Sequence, residues 1–345
     1  MVSPEHTTQP GLAPFRIEPR YVERVWGFRD LHPWYDRTAE PGEPIGEVWL
    51  TGDECVVATG AHAGQTLGDL FEKVPAMLLG ADAAKPASPL PIPSSPLLIK
   101  VIFAKEKLSV QVHPDDEMAR KYGQPRGKTE CWYALAAEPG ALVAVGLKHG
   151  VSLEKVRQGI EAGTLEESLN MMPVAAGEMI LVDAGTVHAI WPGSILLETQ
   201  QNCDITYRMY DYGRGRELHI ERSLEALRFE TRAGKVQPKV LKDRTVLIDS
   251  AYFCMERLSV DGSRGSTSLT GESSAGLAYL FAAAGAARIV GAGIEPVELP
   301  ARGIVAVPAS SPEFAIQDLG GLDLIRIVPN WPQNGRAIGG SDGSV

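Results

Sequence analysis

Six consecutive residues, Leu108-Ser109-Val110-Gln111-Val112-His113, concentrate side chains that can do chemistry. As a strand, their period of two sends Ser109, Gln111 and His113 to one face and Leu108, Val110 and Val112 to the other. The apolar face is ordinary packing. The polar face is costly to bury unless a partner satisfies it, and a bound cation is such a partner. Glu130 stands at the head of an apolar run after Lys128-Thr129, and His188 closes the stretch Asp183-Ala184-Gly185-Thr186-Val187-His188. Two imidazoles, a carboxylate and an amide oxygen form a donor set suited to Zn²⁺, and with less preference to Mn²⁺, Fe²⁺ or Co²⁺. Taken singly, each of the four reads as a hydrogen-bonded buried polar group; together they read as a metal site. Asp115, Asp116 and Glu117, after Pro114, read as helix N-terminal acids favoured by the macrodipole rather than as ligands.

The elements that must hold these residues are mostly short strands. Apolar runs bounded by Gly and Pro predict strands at Leu97–Phe103, Ser109–His113, Glu130–Ala134, Leu142–Val145, Met179–Val182, Ile195–Thr199 and Thr206–Tyr210. Val246–Ile248, Phe253–Leu258, Ile304–Val307 and Leu324–Ile327 follow. Helical signals are few: a short helix after Thr66 with Asp69 as its capping partner, one or two turns over Asp115–Tyr122, a helical pair over Ser152–Met172 whose second member is capped by Thr164 with Glu167, and His219–Phe229. Five prolines within residues 81–96 predict an exposed extended loop. Strands at this spacing suggest sandwiches or barrels rather than a parallel sheet. The length of 345 residues favours two domains at roughly 100–200 residues each. A faint repeat agrees, since Val182–His188 lines up with Val307–Glu313, and the second copy lacks the histidine.

Composition excludes several classes of partner. With 33 Lys and Arg against 43 Asp and Glu, and no cluster of five or more basic residues, a nucleic-acid ligand is not expected. The amino terminus has no apolar export signal, so the cytoplasm is the expected location. The Ala- and Gly-rich stretch Ala275–Ala287 is too short to span a membrane and reads as a buried strand pair. Cys55, Cys131, Cys203 and Cys254 are widely spaced, which fits reduced, mostly buried thiols. Trp26, Trp49 and Trp132 read as core anchors, and His32, His62, His149 and His219 carry no signal beyond solvation or packing.

The spacing from Gly177 through Asp183-Ala184-Gly185 to His188 resembles the second cupin motif, and Gln111-Val112-His113 sits where that superfamily has its first His-x-His. More closely, the chain resembles the type I phosphomannose isomerases in their shorter bacterial form. The matching runs are Trp26-Gly27, Ile45 through Trp49, Pro96 through Lys100, Leu108 through Asp116, Gly127 through Tyr133, Gly185 through Ile190, Glu198 through Asp211 and Arg216 through Ile220. They occur in the family's order across most of residues 20–230. The resemblance implies two cupin-type jelly-roll barrels in tandem: a catalytic unit over 1–235 with a helical insertion around 150–172, a degenerate unit without ligands over 236–333, and a flexible tail over 334–345. It also implies one zinc per chain held by Gln111, His113, Glu130 and His188, and interconversion of mannose 6-phosphate and fructose 6-phosphate. The chain departs from the pattern at Phe103, where Asp is usual, at Cys203, where Ser is common, and at Gly127, where some relatives have His.

Moving a carbonyl from C1 to C2 needs a proton carried from C2 to C1 and stabilisation of an enediolate between the two. Arg208 is the expected electrophilic partner, since period two puts Asp204, Thr206 and Arg208 on one strand face. The plainer reading is that Asp204 and Arg208 pair with charges on neighbouring strands. Lys128, two residues from Glu130, is expected as proton-transfer group or phosphate contact, against the plainer reading of a solvated strand-end lysine. Ser109 is a sugar or phosphate contact, and Asp204 is suited to opening the pyranose ring. Lys100 is a further cation, or simply strand-end solvation. The expected partner is a small sugar phosphate, with no nucleic acid or membrane, on a monomer or weak homodimer. The alternatives are an Fe²⁺ cupin oxygenase, an isomerase for another aldose phosphate, and a regulatory cupin that binds sugar phosphate without turnover.

Overall fold

Alternation along the central strands dictates a layered β structure, because each strand has two apolar faces to bury. In Glu130–Ala137, Cys131 and Tyr133 point to one layer while Trp132 and Ala134 point to the other. The structure, a computed structural model, describes residues 11–80, 94–259, 267–268 and 276–330. It is mainly β, with four antiparallel sheets of seven, five, seven and four strands, none closed on itself among the described residues.

A seven-stranded sheet runs Gly234–Val236, Met179–Val182, Glu130–Ala137, Ser194–Gln201, Leu97–Phe103, Ile45–Trp49 and Arg20–Phe28. Facing it is the five-stranded sheet Tyr207–Tyr210, Val110–Val112, His188–Ile190, Leu142–Leu147 and Leu169–Pro173. Trp132, Ile102, Val143 and Ile190 fill the space between the two. The outer face of the five-stranded sheet buries Val110, Val112 and Met209 under Val156 and Ile160 of the helix Leu153–Ala162. The opposite face of the first sheet packs through Ile99, Val101 and Tyr133 onto Phe253, Tyr279 and Phe281 of the second seven-stranded sheet. That sheet covers the four-stranded one through Leu280, Val305, Ile289 and Ile316. The strand Phe15–Ile17 pairs with Ile304–Val307, so an N-terminal strand joins the sheet of the C-terminal half.

Leu97–Phe103, Met179–Val182, Phe253–Leu258 and Ile304–Val307 form with the bounds their apolar runs predict. Thr66 caps the helix Leu67–Lys73 with the capping box its spacing predicts, Asp69 N–H donating to Thr66 Oγ1 at 3.1 Å and Thr66 N–H to Asp69 Oδ2 at 3.1 Å. The helical pair over Ser152–Met172 is corrected. Leu153–Ala162 is helical, but Leu165–Ser168 is one 3-10 turn, Thr164 makes no side-chain cap bond, and Leu169–Pro173 is a strand. Gly163 ends the helix at φ 69°, and the chain then pairs with Leu142–Leu147, a long-range gain that a local capping signal cannot weigh. The Ala-rich stretch gives the strands Ala278–Ala284 and Ala287–Gly291, in different sheets. No helix among the described residues is long and apolar enough to cross a membrane. The proline-rich loop lies outside the described residues except for its end from Ser94, as does the tail over 334–345.

Candidate active site

The two facing sheets bring the sequence's metal candidates to one point. Gln111 and His188 are direct cross-strand partners in the five-stranded sheet, and Arg208 is the partner of Gln111 on its other side. His113 follows the strand Val110–Val112, and Glu130 opens a strand of the facing sheet. Each imidazole is oriented by its Nδ1, which donates to Ile205 O at 2.7 Å from His113 and to Thr186 O at 2.8 Å from His188. Both Nε2 atoms therefore turn inward, 3.5 Å and 3.3 Å from the two oxygens of Glu130. His113, Glu130 and His188 are each 1% exposed.

Backbone bonds hold the three ligand-bearing segments together. Gly185 N–H donates to His113 O at 2.8 Å, Lys128 N–H to Pro114 O at 3.0 Å and Ala184 N–H to Thr129 Oγ1 at 3.2 Å.

This group fits a divalent cation. His113 Nε2 and both oxygens of Glu130 are buried without hydrogen-bond partners, a costly arrangement unless one charge satisfies all three. Burial and the nearby Lys128 charge hold the His113 imidazole well below its usual range, and burial lowers that of His188 to about 4. Both rings are thus neutral, with lone pairs to give. Gln111 Nε2 lies 3.2 Å from His188 Nε2, and Ser109 Oγ lies 3.4 Å from Gln111 Oε1. Turning the amide by half a rotation would aim Oε1 at the centre and let the NH₂ donate to Ser109, completing the donor set.

Above the centre opens a cleft of about 570 Å³ whose lining includes Ser109, Gln111, Lys128, Asp204, Thr206 and Arg208. The sequence places Asp204, Thr206 and Arg208 on one face, and all three line the cleft while Tyr207 and Met209 are buried beneath. Arg208 donates to Glu217 O at 2.8 Å, and its buried Nε has no partner. Lys128 is not a solvated strand-end charge: it is 3% exposed, with Nζ 3.4 Å from Glu130 Oε2. Lys100 is likewise buried rather than solvated, with Nζ 2.9 Å from Glu198 Oε2 and 3.7 Å from Glu47 Oε1.

Glu198, Glu47 and Arg24 are among the cleft residues that sequence reasoning missed, as are Arg214 and Arg216. Glu198 lies between Trp132 and Lys100 in the register of the sheet. Trp132 Nε1 donates to it at 3.2 Å. Glu47 accepts from Arg24 at 3.0 Å and from Trp49 Nε1 at 2.7 Å, so alternating charges run from the rim to the floor. Burial works against ionised Glu198, but Lys100 and Lys128 overcome it and hold the carboxyl down at about 2. Burial next to that ionised carboxylate pushes Glu130 up to about 8. The available signal was a single charge within each of two mainly apolar runs, Lys100 in Leu97–Phe103 and Glu198 in Ile195–Thr199. Asp115 and Asp183 face a separate cleft of about 420 Å³ behind Thr129 and are paired with Arg228 and Arg232, so neither belongs to the metal group. The four cysteines are free, three of them buried. His219 stays apart from the metal group, its Nδ1 accepting from Arg208 N–H at 3.3 Å.

Residues 15–147 match the family described as phosphomannose isomerase type I, catalytic domain. Over 264 residues the chain is 34% identical to the mannose-6-phosphate isomerase of Streptococcus mutans, covering 72% of this chain and 80% of that protein. The crystal structure of the mannose 6-phosphate isomerase from Bacillus subtilis superposes with a TM-score of 0.79 at 26% identity, over 92% of this chain and all of that one. A mannose 6-phosphate isomerase crystallised with zinc and yttrium superposes with a TM-score of 0.70 over 92% of this chain, and at 16% identity it shares the fold.

Proposed function

The chain belongs to the type I phosphomannose isomerase family, and from that premise we propose that it is a zinc-dependent isomerase interconverting mannose 6-phosphate and fructose 6-phosphate. The observation that carries the reading is the convergence of unpartnered buried His113 Nε2 and Glu130 oxygens beneath a cleft lined by lysine and arginine. Zinc is favoured because two imidazoles, a carboxylate and an amide oxygen make a borderline donor set that would suit it. Bound there, the cation supplies Lewis-acid polarisation of the sugar oxygens.

The chain's own residues then divide the remaining work. Gln111, His113, Glu130 and His188 would hold the cation. Arg208, beside Gln111 in the sheet and lining the cleft, offers its guanidinium to the negative charge that develops on the enediolate. Lys128 faces both Glu130 and the cleft, where it carries a proton or contacts the phosphate. Asp204 stands in the exposed part of the cleft, suited to opening the pyranose ring, and Ser109 lines the wall as a sugar contact. The net charge of −10 disfavours an anionic substrate at long range, so these local cations must draw it in.

We read the four sheets as two cupin-type jelly rolls in tandem, residues 1–235 carrying the catalysis and 236–333 lacking ligands. Two separate apolar clusters, one inside each facing pair of sheets, support this. A coupled assay that follows fructose 6-phosphate from mannose 6-phosphate, run beside glucose 6-phosphate, tests the reaction. Turnover confined to mannose 6-phosphate is expected. Turnover of another aldose phosphate alone would replace the substrate, and binding without turnover of either would make the chain a sensor.

A further inference from the structure

Residues 127–129 lead into the ligand Glu130 and carry Lys128, yet they lie ahead of the strand that starts at Glu130. Their three N–H groups are held from outside the ladder. Gly127 N–H donates to Asp116 Oδ1 at 2.7 Å, Lys128 N–H to Pro114 O at 3.0 Å and Thr129 N–H to Gln201 Oε1 at 2.9 Å. The other end of the Gln201 amide donates from Nε2 to the same Asp116 Oδ1 at 2.9 Å, and Gln201 N–H donates to Thr129 O at 3.1 Å. Gln201 is 5% exposed, so these bonds are made away from competing water. Asp116 lies three residues past the ligand His113 and is the first residue of the helix Asp116–Lys121, but its carboxylate is turned to this segment. Gly127 fits against the same turn: a Cβ there would come within 2.4 Å of Asp115 C and 2.6 Å of Pro114 O.

We propose that Asp116 and Gln201 are positioning residues that clamp residues 127–129, fixing Glu130 against the cation centre and the Lys128 ammonium against the cleft. The inference rests on the isomerase reading for its kinetic part, while its metal-binding part stands on the geometry alone. It also accounts for the glycine at 127. The clamp draws the backbone so close to the His113–Asp116 turn that position 127 has no room for a side chain, and the neighbouring chemistry falls to Lys128. Neither Asp116 nor Gln201 lines the cleft, so both act through the residues they hold.

The test compares Asp116→Ala, Asp116→Asn, Gln201→Glu and the double variant Asp116→Asn/Gln201→Glu. Each is measured for zinc affinity by competition with a chelator, for kcat and KM on mannose 6-phosphate, and for thermal midpoint. Gln201→Glu keeps an acceptor for Thr129 N–H but sets a second carboxylate against Asp116. It should weaken zinc by ~10–100-fold and cut kcat by a similar factor with KM within about threefold. Adding Asp116→Asn removes one of the two facing carboxylates and should restore both to within about threefold, a non-additive rescue expected of groups in contact. Asp116→Asn alone keeps the acceptor for Gly127 and should stay near wild type, whereas Asp116→Ala should behave like Gln201→Glu. Should Asp116→Ala not fold, the Gln201→Glu pair carries the same test. Folded Gln201→Glu protein with wild-type zinc affinity and kcat would overturn the clamp, as would a lowered thermal midpoint with both unchanged. If zinc-loaded wild type fails to isomerise mannose 6-phosphate, the isomerase reading falls, and the zinc affinities still decide the clamp.

Discussion

Glu130 has both carboxylate oxygens buried beside two neutral imidazoles without a hydrogen-bond partner among the described residues, and the Lys128 ammonium stands 3.4 Å from Oε2. A group so placed is a liability unless it binds something. Glu130→Gln should therefore weaken zinc by more than the ~10–100-fold typical of outer-shell changes and abolish turnover, while the metal-free protein keeps or gains stability. Chelator competition and urea unfolding of the metal-free form check the two halves. Glu47 is the opposite case, a buried carboxylate already satisfied. Burial alone would raise its pKa, but Lys100 and Arg24 outweigh burial and hold it below the usual range. A carboxyl lowered in the folded state adds stability above its unfolded pKa, and loses it as the pH falls through the folded value. Glu47→Gln should accordingly cost about 3 kcal/mol at pH 7, with the gap to wild type closing as the pH drops below about 4. Urea unfolding across pH 3–7 reads this directly.

Elements explain which parts of the site were legible in the sequence. Gln111 and His113 were readable because they alternate with Val110 and Val112, where strand period gives the facing side, whereas Glu130 and His188 stood out only as polar residues at the ends of their runs. That Gln111 is flanked by both His188 and Arg208 was not readable. It depends on the order of strands in the five-stranded sheet, where His188–Ile190 is a three-residue strand too short to announce itself. The Lys100–Glu198 pair was hidden for a related reason: each charge sits alone in its own apolar strand, and only register makes them partners. Asp116 read correctly as a helix N-terminal acid, but its second role at Gly127 and Gln201 is tertiary and leaves no local mark. The 3-10 turn and strand in place of a second helix show the same limit, since Leu169–Pro173 gains ladder bonds from residues about 30 positions earlier. Local signals did suffice where the structure is local. Thr66→Ala should remove the capping box at a cost of about 1 kcal/mol, seen as a lower thermal midpoint with kcat unchanged, because the helix Leu67–Lys73 does not reach the cleft.

At the scale of the whole molecule, the sheet carrying Glu130, Glu198 and Lys100 is buried on both faces, by the five-stranded sheet on one side and the second seven-stranded sheet on the other. The C-terminal half thus packs behind the site, and none of its described residues joins the group of His113, Glu130 and His188. Phe281, fully buried at that junction, is a test of the support: Phe281→Ala should cost about 3–5 kcal/mol and lower the unfolding midpoint of the entire chain as one transition. Two separate transitions would mean that the halves are independent. On the proposed function, one zinc held between the two N-terminal sheets would make this chain active on mannose 6-phosphate. The most direct measurement is a titration of chelator-stripped protein with zinc, following fructose 6-phosphate formation against bound metal. Negligible activity at zero zinc and a linear rise that saturates at one zinc per chain are expected. Full activity in stripped protein, or none at full occupancy, would contradict the proposed function.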